Sequence, residues 1–516
     1  MPQGRTTEEM IRLAKRVRPE TDDDLWNYIA AYMGVHIPRV PITLRPGCAH
    51  HCTPFDYIGD MFFEREGDCI VWANRGGSKT YGAALVAMLE HLFKPGLQTR
   101  ILGGSQEQSK RMYEHFQPFC IETFAEFIKG ESQQLLTRFK NGGKVEILAA
   151  SMRSVLGHHI PRLKLDEVDE FDEDVLEAAM GTSMDLTRRG KVIYASRVEE
   201  LSTFHHPFGV MSKELERTTG KGVKRYNWCI FETLEHCGPE HSCSQCSLWE
   251  DCQGVAKKEC NGYITVDNAI KWKQRHSKEG WDAWFLCKKP YAGRSFFRSY
   301  DPDIHVAREP IPYDPNLPLY RAWDWGTNGP TACLWIQVDE RGPHPMVRVI
   351  DEMREDHAAA SDMVKAFVRY HKERGYGRDL TQEVQPGIKN EYCDPSGLSY
   401  VLEWNKAGIY PVGRGGGKRG TSRKLNARME GWEIVRQLLR NGVGKSSLII
   451  SPKCQWLPSE FADAHFPERK PNQPVKEDMV EVNDHSLAAL RYFCLGRFPQ
   501  LSWQFATAGR PRRRTR

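Results

Sequence analysis

Long hydrophobic runs are missing from this sequence. No stretch approaches the roughly 18 consecutive apolar residues that a membrane-spanning helix needs. Residues 1–20 are polar and charged, unlike the apolar centre of a secretory signal peptide. We therefore expect a cytoplasmic protein without a membrane partner, in which the fifteen cysteines are mostly reduced.

A strong charge imbalance is also missing. The 72 Lys and Arg residues against 67 Asp and Glu residues leave a formal net charge of +5 over 516 residues. This mild excess permits a polyanionic partner but does not require one. Hydrophobic residues make up 40% of the chain, enough for buried cores. The length predicts about two to four domains.

The stretch 71–80, VWANRGGSKT, is the centre of the first half but lacks two glycines of the usual G-x-x-x-x-G-K-[ST] pattern. Ala73 and Ser78 stand in their places. An apolar run, Cys69–Ala73, predicts a strand before the turn, and residues 81–93 predict a helix after it. Strand, glycine-bearing turn and helix together predict a phosphate-binding loop; the alternative is a plain turn between a strand and a helix.

If the loop binds a nucleotide, backbone N–H groups of the turn would cradle its phosphates. Lys79 would reach the β- and γ-phosphates, and the Thr80 hydroxyl would bind Mg²⁺. The residues predicted to hold the nucleotide are Arg75, Gly76, Gly77, Ser78, Lys79, Thr80, Asp166 and Ser196.

Further strands are predicted at 99–105, 144–150, 162–167 and 191–196, with a helix at 106–129. Strands that alternate with helices favour a parallel, buried sheet. Active sites of such sheets lie at the carboxyl ends of the strands, where we expect Lys79, Asp166 and Ser196 to meet.

Two adjacent carboxylates, Asp166 and Glu167, end the predicted strand about 90 residues after the loop. This is typical of a Walker B arrangement, with Asp166 on the Mg²⁺ and Glu167 polarising the attacking water. The alternative is the solvated start of an acidic helix. Ser196 is a candidate sensor of the γ-phosphate, and Arg75 and Arg197 are candidates for stabilising transition-state charge; a turn former and surface ion pairs are the alternatives.

Cysteines are concentrated between the two halves, where five occur in residues 237–260. Four soft ligands on a short loop-rich segment suit tetrahedral Zn²⁺, with an Fe–S cluster as the alternative. The predicted ligands are Cys237, Cys243, Cys246 and Cys252. Cys260 or His241 could replace one of them, and the role we expect is structural.

The second half supplies three aspartates at element ends. Asp324 and Asp394 end predicted strands, and Asp484 begins a predicted helix. Each is weak evidence alone, because aspartate is common in turns and helix caps. Together they can bind two Mg²⁺ ions that activate water and stabilise the leaving oxygen in phosphodiester cleavage. Asp351 and His485, which lie near these aspartates in the sequence pattern, are additional candidates for the same site.

Three motifs of the first half, 75–80, 165–167 and 194–196, resemble the ATPase motifs of the large terminase subunit of tailed bacteriophages. The three aspartates of the second half resemble that family's nuclease centre, and the resemblance covers about residues 55–495. It implies an α/β fold with an N-terminal P-loop ATPase domain of the additional-strand type and a C-terminal RNase H-like nuclease domain, with a Cys-rich insertion between them. In that scheme Glu167, Asp324, Asp394 and Asp484 are catalytic.

The resemblance also implies a domain plan, a function and partners. The predicted segments are an ATPase domain at 1–205, a Cys-rich and helical segment at 206–290, a linker at 291–318, a nuclease domain at 319–498 and a basic tail at 499–516. The implied function is ATP-driven translocation of double-stranded DNA into a viral procapsid and cleavage of concatemeric DNA, with ATP and Mg²⁺ or Mn²⁺ as cofactors. The implied partners are a portal protein and a small terminase subunit, with a homo-oligomeric ring acting in the cytoplasm of an infected bacterial host and transiently at the portal vertex.

Two alternative functions remain open at the level of sequence. One is a helicase-type or repair ATPase joined to a nuclease, although a second RecA-like motif set is missing. The other is a zinc-dependent DNA-binding module with degenerate ATPase motifs. A glycine-rich basic loop at 414–424 and the arginine-rich end at 509–516 are candidate DNA contacts, because their cations can neutralise phosphates.

Overall fold

The structure is a computed structural model. It describes residues 13–43, 51–103, 106–130, 135–149, 159–204, 209–219, 221–289, 295–325, 330–342, 345–355, 360–376, 388–394, 398–406, 412–413, 421–467, 479–480 and 482–499.

In chain order, the strands of these residues are β1 Cys69–Ala73, β2 Gln98–Gly103, β3 Leu136–Arg138, β4 Lys144–Ala149, β5 Arg162–Asp166, β6 Leu186–Arg188, β7 Lys191–Tyr194, β8 Arg197–Ser202, β9 Lys224–Trp228, β10 Leu319–Asp324, β11 Thr331–Asp339, β12 Met346–Glu355, β13 Ile388–Cys393, β14 Val412–Gly413 and β15 Leu448–Ile450. The α-helices are α1 Asp22–Tyr28, α2 Pro54–Phe63, α3 Lys79–Phe93, α4 Gln106–Pro118, α5 Glu173–Met180, α6 Val210–Arg217, α7 Ile230–Thr233, α8 Trp249–Cys252, α9 Val255–Lys258, α10 Val266–Arg275, α11 Lys278–Trp284, α12 Pro302–His305, α13 Ala360–Arg374, α14 Leu398–Lys406, α15 Thr421–Leu439, α16 Trp456–Asp463 and α17 His485–Arg497.

The first sheet has seven strands in the order β3-β4-β2-β5-β8-β1-β9. All neighbours are parallel except the edge strand β3, which is antiparallel to β4. Both faces of a parallel sheet need a cover. On one face α3 supplies it with a nearly continuous apolar surface that packs into the main core with β1 and α2. Strand β9 extends this sheet past residue 205, the predicted end of the ATPase domain.

The predicted strand at 191–196 is wrong as a member of this sheet. Residues 191–194 form β7, which pairs only with β6 in a separate two-stranded ribbon, and Val192 and Ile193 are 55% and 47% exposed. The sheet strand is β8, which immediately follows. Its sequence, RVEELS, looks like a surface segment, yet all six residues are buried.

Ion pairs explain how a charged strand can be buried. Glu199 of β8 lies 2.5 Å from Lys164 Nζ and 2.9 Å from Arg197, and Arg197 also lies 2.9 Å from Glu90. A buried charge is tolerated only when it is paired and hydrogen-bonded. Lys164, which makes β5 less apolar than a usual buried strand, therefore has its partner inside the sheet layer.

The predicted helix at 106–129 is also shorter than expected. Helix α4 ends at Pro118, a π-helical turn follows at Phe119–Thr123, and a 3₁₀ turn covers Ala125–Phe127. Proline lacks the N–H that would continue a regular helix, which fits the change of helix type beside it.

The second sheet has six strands in the order β14-β13-β10-β11-β12-β15. Strands β10, β11 and β12 form an antiparallel meander, and β13 lies parallel to β10 on its other side. Helix α17 packs across β10, β11 and β13, with Leu487, Leu490 and Phe493 fully buried. This packing brings the start of α17 to the carboxyl ends of β10 and β13.

Helices α10 and α11 connect the two halves. The backbone N–H of Ser277 donates to Glu433 of α15 at 3.2 Å, and the N–H of Lys278 donates to the carbonyl of Arg440 at 3.0 Å. The carbonyl of His276 accepts from Gly442 at 2.7 Å. The segment after the Cys-rich region is therefore hydrogen-bonded to the second half of the chain.

Candidate active sites

The turn between β1 and α3 has the compact geometry of a phosphate loop. Gly76 and Ser78 have φ values of +72° and +57°, and the Gly77 N–H donates to the Asn74 carbonyl at 2.9 Å. A Cβ atom at Gly77 would lie 2.2 Å from Asn74 Oδ1, so this position requires glycine. Ser78, which replaces the usual glycine, adopts the left-handed conformation that glycine normally supplies. The indole of Trp228 holds the loop by donating to the Gly77 carbonyl at 2.9 Å.

Lys79 and Thr80, the first residues of α3, contact the ends of neighbouring strands. Lys79 Nζ lies 2.9 Å from Glu167 Oε1 and donates to Thr203 Oγ1, also at 2.9 Å. The Thr80 hydroxyl donates to Asp166 Oδ1 at 2.9 Å. The structure thus brings Lys79, Thr80, Asp166 and Glu167 together at the carboxyl edge of the first sheet, the edge at which such sheets bind ligands.

Electrostatics distinguish the two adjacent carboxylates. Burial raises the pKa of Asp166 to about 7; the charge of Glu167 adds to the rise, while Lys79 and the Thr80 hydrogen bond oppose it. Glu167 follows the strand with a φ of +56°, an uncommon conformation for a residue with a side chain. The buried Asp166 carboxylate beside a hydroxyl is suited to a divalent cation, whose charge would offset its desolvation.

The structure places Ser196 away from this site. Parallel pairing matches Arg162 with Arg197 and Asp166 with Leu201, so Ser196 precedes the amino end of β8 while Asp166 ends β5. Five strand residues at about 3.3 Å each separate the two edges. The prediction that Ser196 ends a strand beside Lys79 is therefore wrong. It took residues 191–196 for a strand of the first sheet, whereas the sheet strand is β8, which begins at Arg197. Its backbone N–H donates to Asp185 at 2.6 Å.

Thr203, which sequence reasoning missed, lies where Ser196 was expected. It follows β8 directly, is buried, and its hydroxyl accepts from Lys79 and donates to the Ala73 carbonyl at 3.1 Å. The signal in the sequence was the pair Ser202-Thr203 after an uninterrupted run of buried residues. The charges of that run concealed the strand.

The two arginine candidates have different environments. The guanidinium of Arg75 lies 4.7 Å from the ring centroid of Trp284, and burial lowers its pKa. The backbone N–H of Arg75 donates to the Trp284 carbonyl at 2.7 Å. Arg197 belongs to the buried ion-pair network of Glu90 and Glu199 at the other edge of the sheet. The structure therefore keeps Arg75 beside the phosphate loop and does not bring Arg197 to it.

A second carboxylate site lies on the second sheet. Asp324 ends β10 and Asp394 follows β13, two parallel neighbours whose register pairs Trp323 with Cys393. The two aspartates therefore lie side by side. Burial raises the pKa of Asp324, the hydrogen bond from His485 opposes this, and the charges of Asp394 and Asp484 add to it. The three predicted aspartates thus share one electrostatic environment.

Of the two further candidates, His485 and Asp351, only the first belongs to this carboxylate site. His485 Nδ1 lies 2.9 Å from Asp324 Oδ2, so it is part of the carboxylate site. Asp351 is buried in β12, two strands from β10, and accepts hydrogen bonds from Tyr370 at 3.1 Å and from Tyr376. Arg374 Nε lies 3.6 Å from it. The partners of Asp351 satisfy it within the core, and it does not join the site.

Two glutamates missed by sequence reasoning anchor the start of α17. Glu460 accepts the Leu487 N–H at 2.8 Å, and Glu352 accepts the Leu457 N–H at 3.1 Å and the Ser486 hydroxyl. Burial raises the pKa of Glu460 to about 9. These contacts set the position of Asp484 and His485, and nothing in the local sequence indicates them.

The four predicted metal-binding cysteines line one small cavity of about 20 Å³, together with His241. Burial raises the pKa of Cys237, with the charges of Cys252, Cys246 and Cys243 adding to the rise against the effect of Lys257. Among the described residues, however, no three of these sulfurs lie within 4.8 Å of one another. Cys260, the alternative ligand, donates to the Phe231 carbonyl at 3.1 Å.

The two segments predicted to contact DNA lie largely outside the described residues. Residues 414–420 of the basic loop and 500–516 of the tail lie outside the described residues, as do the side chains of 421–427. A helix long and apolar enough to cross a membrane does not occur in the part of the chain that the structure describes.

The fold and the two carboxylate sites define a two-domain α/β protein that combines a phosphate-loop sheet with a mixed sheet bearing clustered aspartates. No family model matches the sequence, and no curated protein matches it. Among solved structures, the chain is similar to the large terminase of a thermophilic bacteriophage, with a TM-score of 0.53 at 12% identity over 85% of this chain and 98% of that one.

Two nucleotide complexes of the same phage terminase are also similar. The complex with ADP gives a TM-score of 0.51 at 14% identity, over 85% of this chain and 94% of that one. The complex with ATP-gamma-S gives 0.50 at 14% identity, over 85% and 98%. At such identities the likeness shows the fold: this chain has the fold of a phage large terminase. The predicted fold class is confirmed, while the Cys-rich insertion remains a prediction.

Proposed function

We propose that this chain is the large subunit of a viral DNA-packaging motor, which hydrolyses ATP to translocate double-stranded DNA into a procapsid and cleaves concatemeric DNA. One observation carries the proposal: a phosphate loop with paired carboxylates and a separate cluster of three aspartates occupy two different sheets of one terminase-like fold. Its place of action is the cytoplasm of an infected bacterium and, transiently, the portal vertex.

At the first site, the loop N–H groups and Lys79 bind the phosphates of ATP, and Thr80 and Asp166 hold Mg²⁺. When bound, Mg²⁺ neutralises charge that develops on the phosphates. Lys79 is paired with Glu167 at 2.9 Å without a nucleotide. A γ-phosphate that attracts Lys79 loosens this pair, so that Glu167 can orient the attacking water. Because its hydroxyl accepts from Lys79, Thr203 moves with the Lys79 ammonium group and transmits that movement to β8.

At the second site, Asp324, Asp394 and Asp484 hold two Mg²⁺ or Mn²⁺ ions. When bound, these ions activate water and stabilise the leaving oxygen of the phosphodiester. His485 hydrogen-bonds Asp324 and orients its carboxylate, while Glu352 and Glu460 fix the start of α17, directly after Asp484. Contacts of the protein with the DNA are to phosphates, which makes binding salt-sensitive and independent of sequence.

The partners belong to the same proposal. A portal protein, a small terminase subunit and further copies of this chain in a ring would complete the motor. The helicase-type alternative is less well supported, because the second sheet is a mixed sheet without a phosphate loop in its described residues. A non-catalytic DNA-binding module is opposed by the hydrogen bonds between Lys79, Thr80 and the two carboxylates.

Two assays on the same samples of the full chain test the proposal. One measures DNA-stimulated ATP hydrolysis, and the other measures strand displacement. We expect linear duplex DNA to raise the ATPase rate, Lys79→Ala to abolish it, and no strands to separate. Lys224→Ala, which removes an exposed lysine of β9, is the matched control. A DNA-dependent separation of strands would favour a helicase, and no ATP hydrolysis would favour the binding module.

We also propose that Cys237, Cys243, Cys246 and Cys252 bind a structural Zn²⁺, with an Fe–S cluster as the alternative. The shared cavity supports this, because a metal of tetrahedral preference could draw the four thiolates inward. Cys243→Ser should remove about one metal equivalent per chain by elemental analysis and lower the unfolding temperature. The absorbance of the purified protein separates the alternatives, since an Fe–S cluster is coloured and a zinc site is not.

A further inference from the structure

A buried group of three different metal-ligand types lies beside the phosphate loop. His51 Nδ1, Cys229 Sγ and a carboxylate oxygen of Glu232 all lie within 4.8 Å of one another, and no other such group of three occurs among the described residues. The His51 and Glu232 side chains are 4% and 3% exposed, and Cys229 is fully buried. None of the three takes part in the functions proposed above.

The fold brings the three together from distant parts of the chain. His51 lies in the segment before α2, Cys229 follows β9, and Glu232 lies in α7. The segment of His51 is fixed to β9 by the Cys52 N–H, which donates to the Asn227 carbonyl at 2.7 Å. The imidazole therefore faces the turn between β9 and α7.

Backbone hydrogen bonds orient the acidic and sulfur groups. The N–H of Cys229 donates to Glu232 Oε2 at 2.6 Å, which leaves Oε1 facing His51 Nδ1 at 3.0 Å. The N–H of Phe231 donates to Cys229 Sγ at 3.5 Å. Such outer contacts set ligand direction in metal sites. The contacts of Cys229 and Glu232 also form the N-terminal capping box of α7, which explains why these two side chains lie together. The capping box does not require the imidazole of His51, which converges on both side chains from a distant part of the chain.

We propose that His51, Cys229 and Glu232 bind Zn²⁺. Nitrogen, sulfur and oxygen donors from one residue each are an accepted ligand set for Zn²⁺, and three protein ligands leave one coordination position for an exogenous ligand. The bound charge also offsets the cost of burying the Glu232 carboxylate. This site shares no residue with the cavity of Cys237, Cys243, Cys246 and Cys252.

The zinc ion braces the phosphate loop. The turn that it fixes follows Trp228, whose indole donates to the Gly77 carbonyl at 2.9 Å and whose carbonyl accepts the Asn74 N–H at 3.1 Å. The Asn74 side chain in turn donates to Thr233 of α7 at 3.4 Å. By fixing the turn between β9 and α7, the ion stabilises the hydrogen bonds of Trp228 and Thr233 to the phosphate loop and to Asn74 before it.

Metal content of the full chain, purified from zinc-supplemented cells, tests the site. We expect Cys229→Ser, Glu232→Gln and His51→Gln each to lower the zinc content by about one equivalent per chain relative to the wild type. Cys287→Ser is the matched control, because Cys287 is a buried neighbour whose thiol donates to the Trp228 carbonyl at 3.2 Å. Three folded variants with wild-type zinc content would overturn the proposal.

Cobalt spectroscopy keeps the test decisive should those variants fail to fold. Co²⁺ added to the metal-free protein in which Cys237, Cys243, Cys246 and Cys252 are all replaced by Ser, and Cys229 is intact, should give intense visible bands and a charge-transfer band typical of a single thiolate. A spectrum of six-coordinate Co²⁺ without thiolate charge transfer would overturn the site. Neither readout depends on ATP hydrolysis or DNA cleavage, so the packaging function can fail while this site stands.

Discussion

The ammonium group of Lys79 lies 2.9 Å from the hydroxyl of Thr203, which in turn donates to the Ala73 carbonyl at the end of β1. Thr203, which follows β8, thereby links Lys79 to the ends of β8 and β1. Thr203→Val keeps the shape of the side chain but removes the hydroxyl. We expect the ATPase kcat to fall about tenfold or more, the effect of about 1.4 kcal/mol or more for a lost buried hydrogen bond to a charged group.

The controls for this variant compare two positions. Thr203→Ser restores a hydroxyl and should retain most of the activity. Ser196→Ala, at the opposite edge of the sheet, should have the wild-type steady-state rate. A normal rate for Thr203→Val together with a slow Ser196→Ala would contradict the assignment.

Trp284 supports Arg75 at the phosphate loop. Because the guanidinium stacks on the ring at 4.7 Å in a desolvated position, the contact stabilises the loop by about 0.5–2 kcal/mol. We expect Trp284→Leu to raise the KM for ATP by about tenfold and to leave DNA cleavage unchanged. Trp456→Leu is the control, because Trp456 lies 6.0 Å from the guanidinium of Arg354 in the other half of the chain. Equal effects of the two variants on ATP hydrolysis would contradict this role.

Glu200 makes the fold sensitive to alkaline pH. Burial raises its pKa to about 8, with the charge of Glu214 adding to the rise, and its Oε2 has no hydrogen-bond partner among the described residues. A raised carboxyl pKa in the folded state gives stability that is fully present below the ordinary value of 4.5 and is lost as the pH rises through about 8. Glu200→Gln removes the charge and so should unfold several degrees higher than the wild type at pH 9, with little difference at pH 4.5.

Thermal unfolding followed by circular dichroism at the two pH values measures this effect. Glu216→Gln is the control, because its side chain is 59% exposed and pairs with Lys289 on the surface. If Glu200→Gln were no more stable than the wild type at pH 9, the buried carboxylate would not carry the cost assigned to it.

Residues at the ends of apolar strands were the ones that sequence reasoning located well. Asp324 ends β10, whose buried run is visible in the sequence, and the parallel register places Asp394 beside it after the more polar strand β13. Lys79 is recognisable because it follows the apolar strand β1 and its turn, even though the phosphate loop lacks two usual glycines. Asp166 ends a strand that carries Arg162 and Lys164, so its signal was the adjacent Glu167 and its distance from the loop. The ends of such strands are defined by hydrophobicity, which a single sequence records directly.

The burial of residues whose charges are paired inside the protein could not be predicted from the sequence. Strand β8 reads as a surface segment because its charges are satisfied by Lys164 and Glu90, which lie far away in sequence. Because of this error, Ser196 was predicted to lie beside Lys79, in the place that Thr203 occupies. Likewise, the contacts of Glu460 with α17 exist only after helices distant in sequence have packed.

The central claim is that two independent metal-dependent sites act in one chain, and paired assays of ATP hydrolysis and plasmid cleavage test it most directly. The samples are the wild type, Lys79→Ala and Asp324→Ala, with Mg²⁺ or Mn²⁺ supplied. We predict that Lys79→Ala loses ATP hydrolysis but still cleaves plasmid DNA, and that Asp324→Ala loses cleavage while its ATPase rate stays near that of the wild type. Loss of both activities in either folded variant would contradict the account of two separate sites.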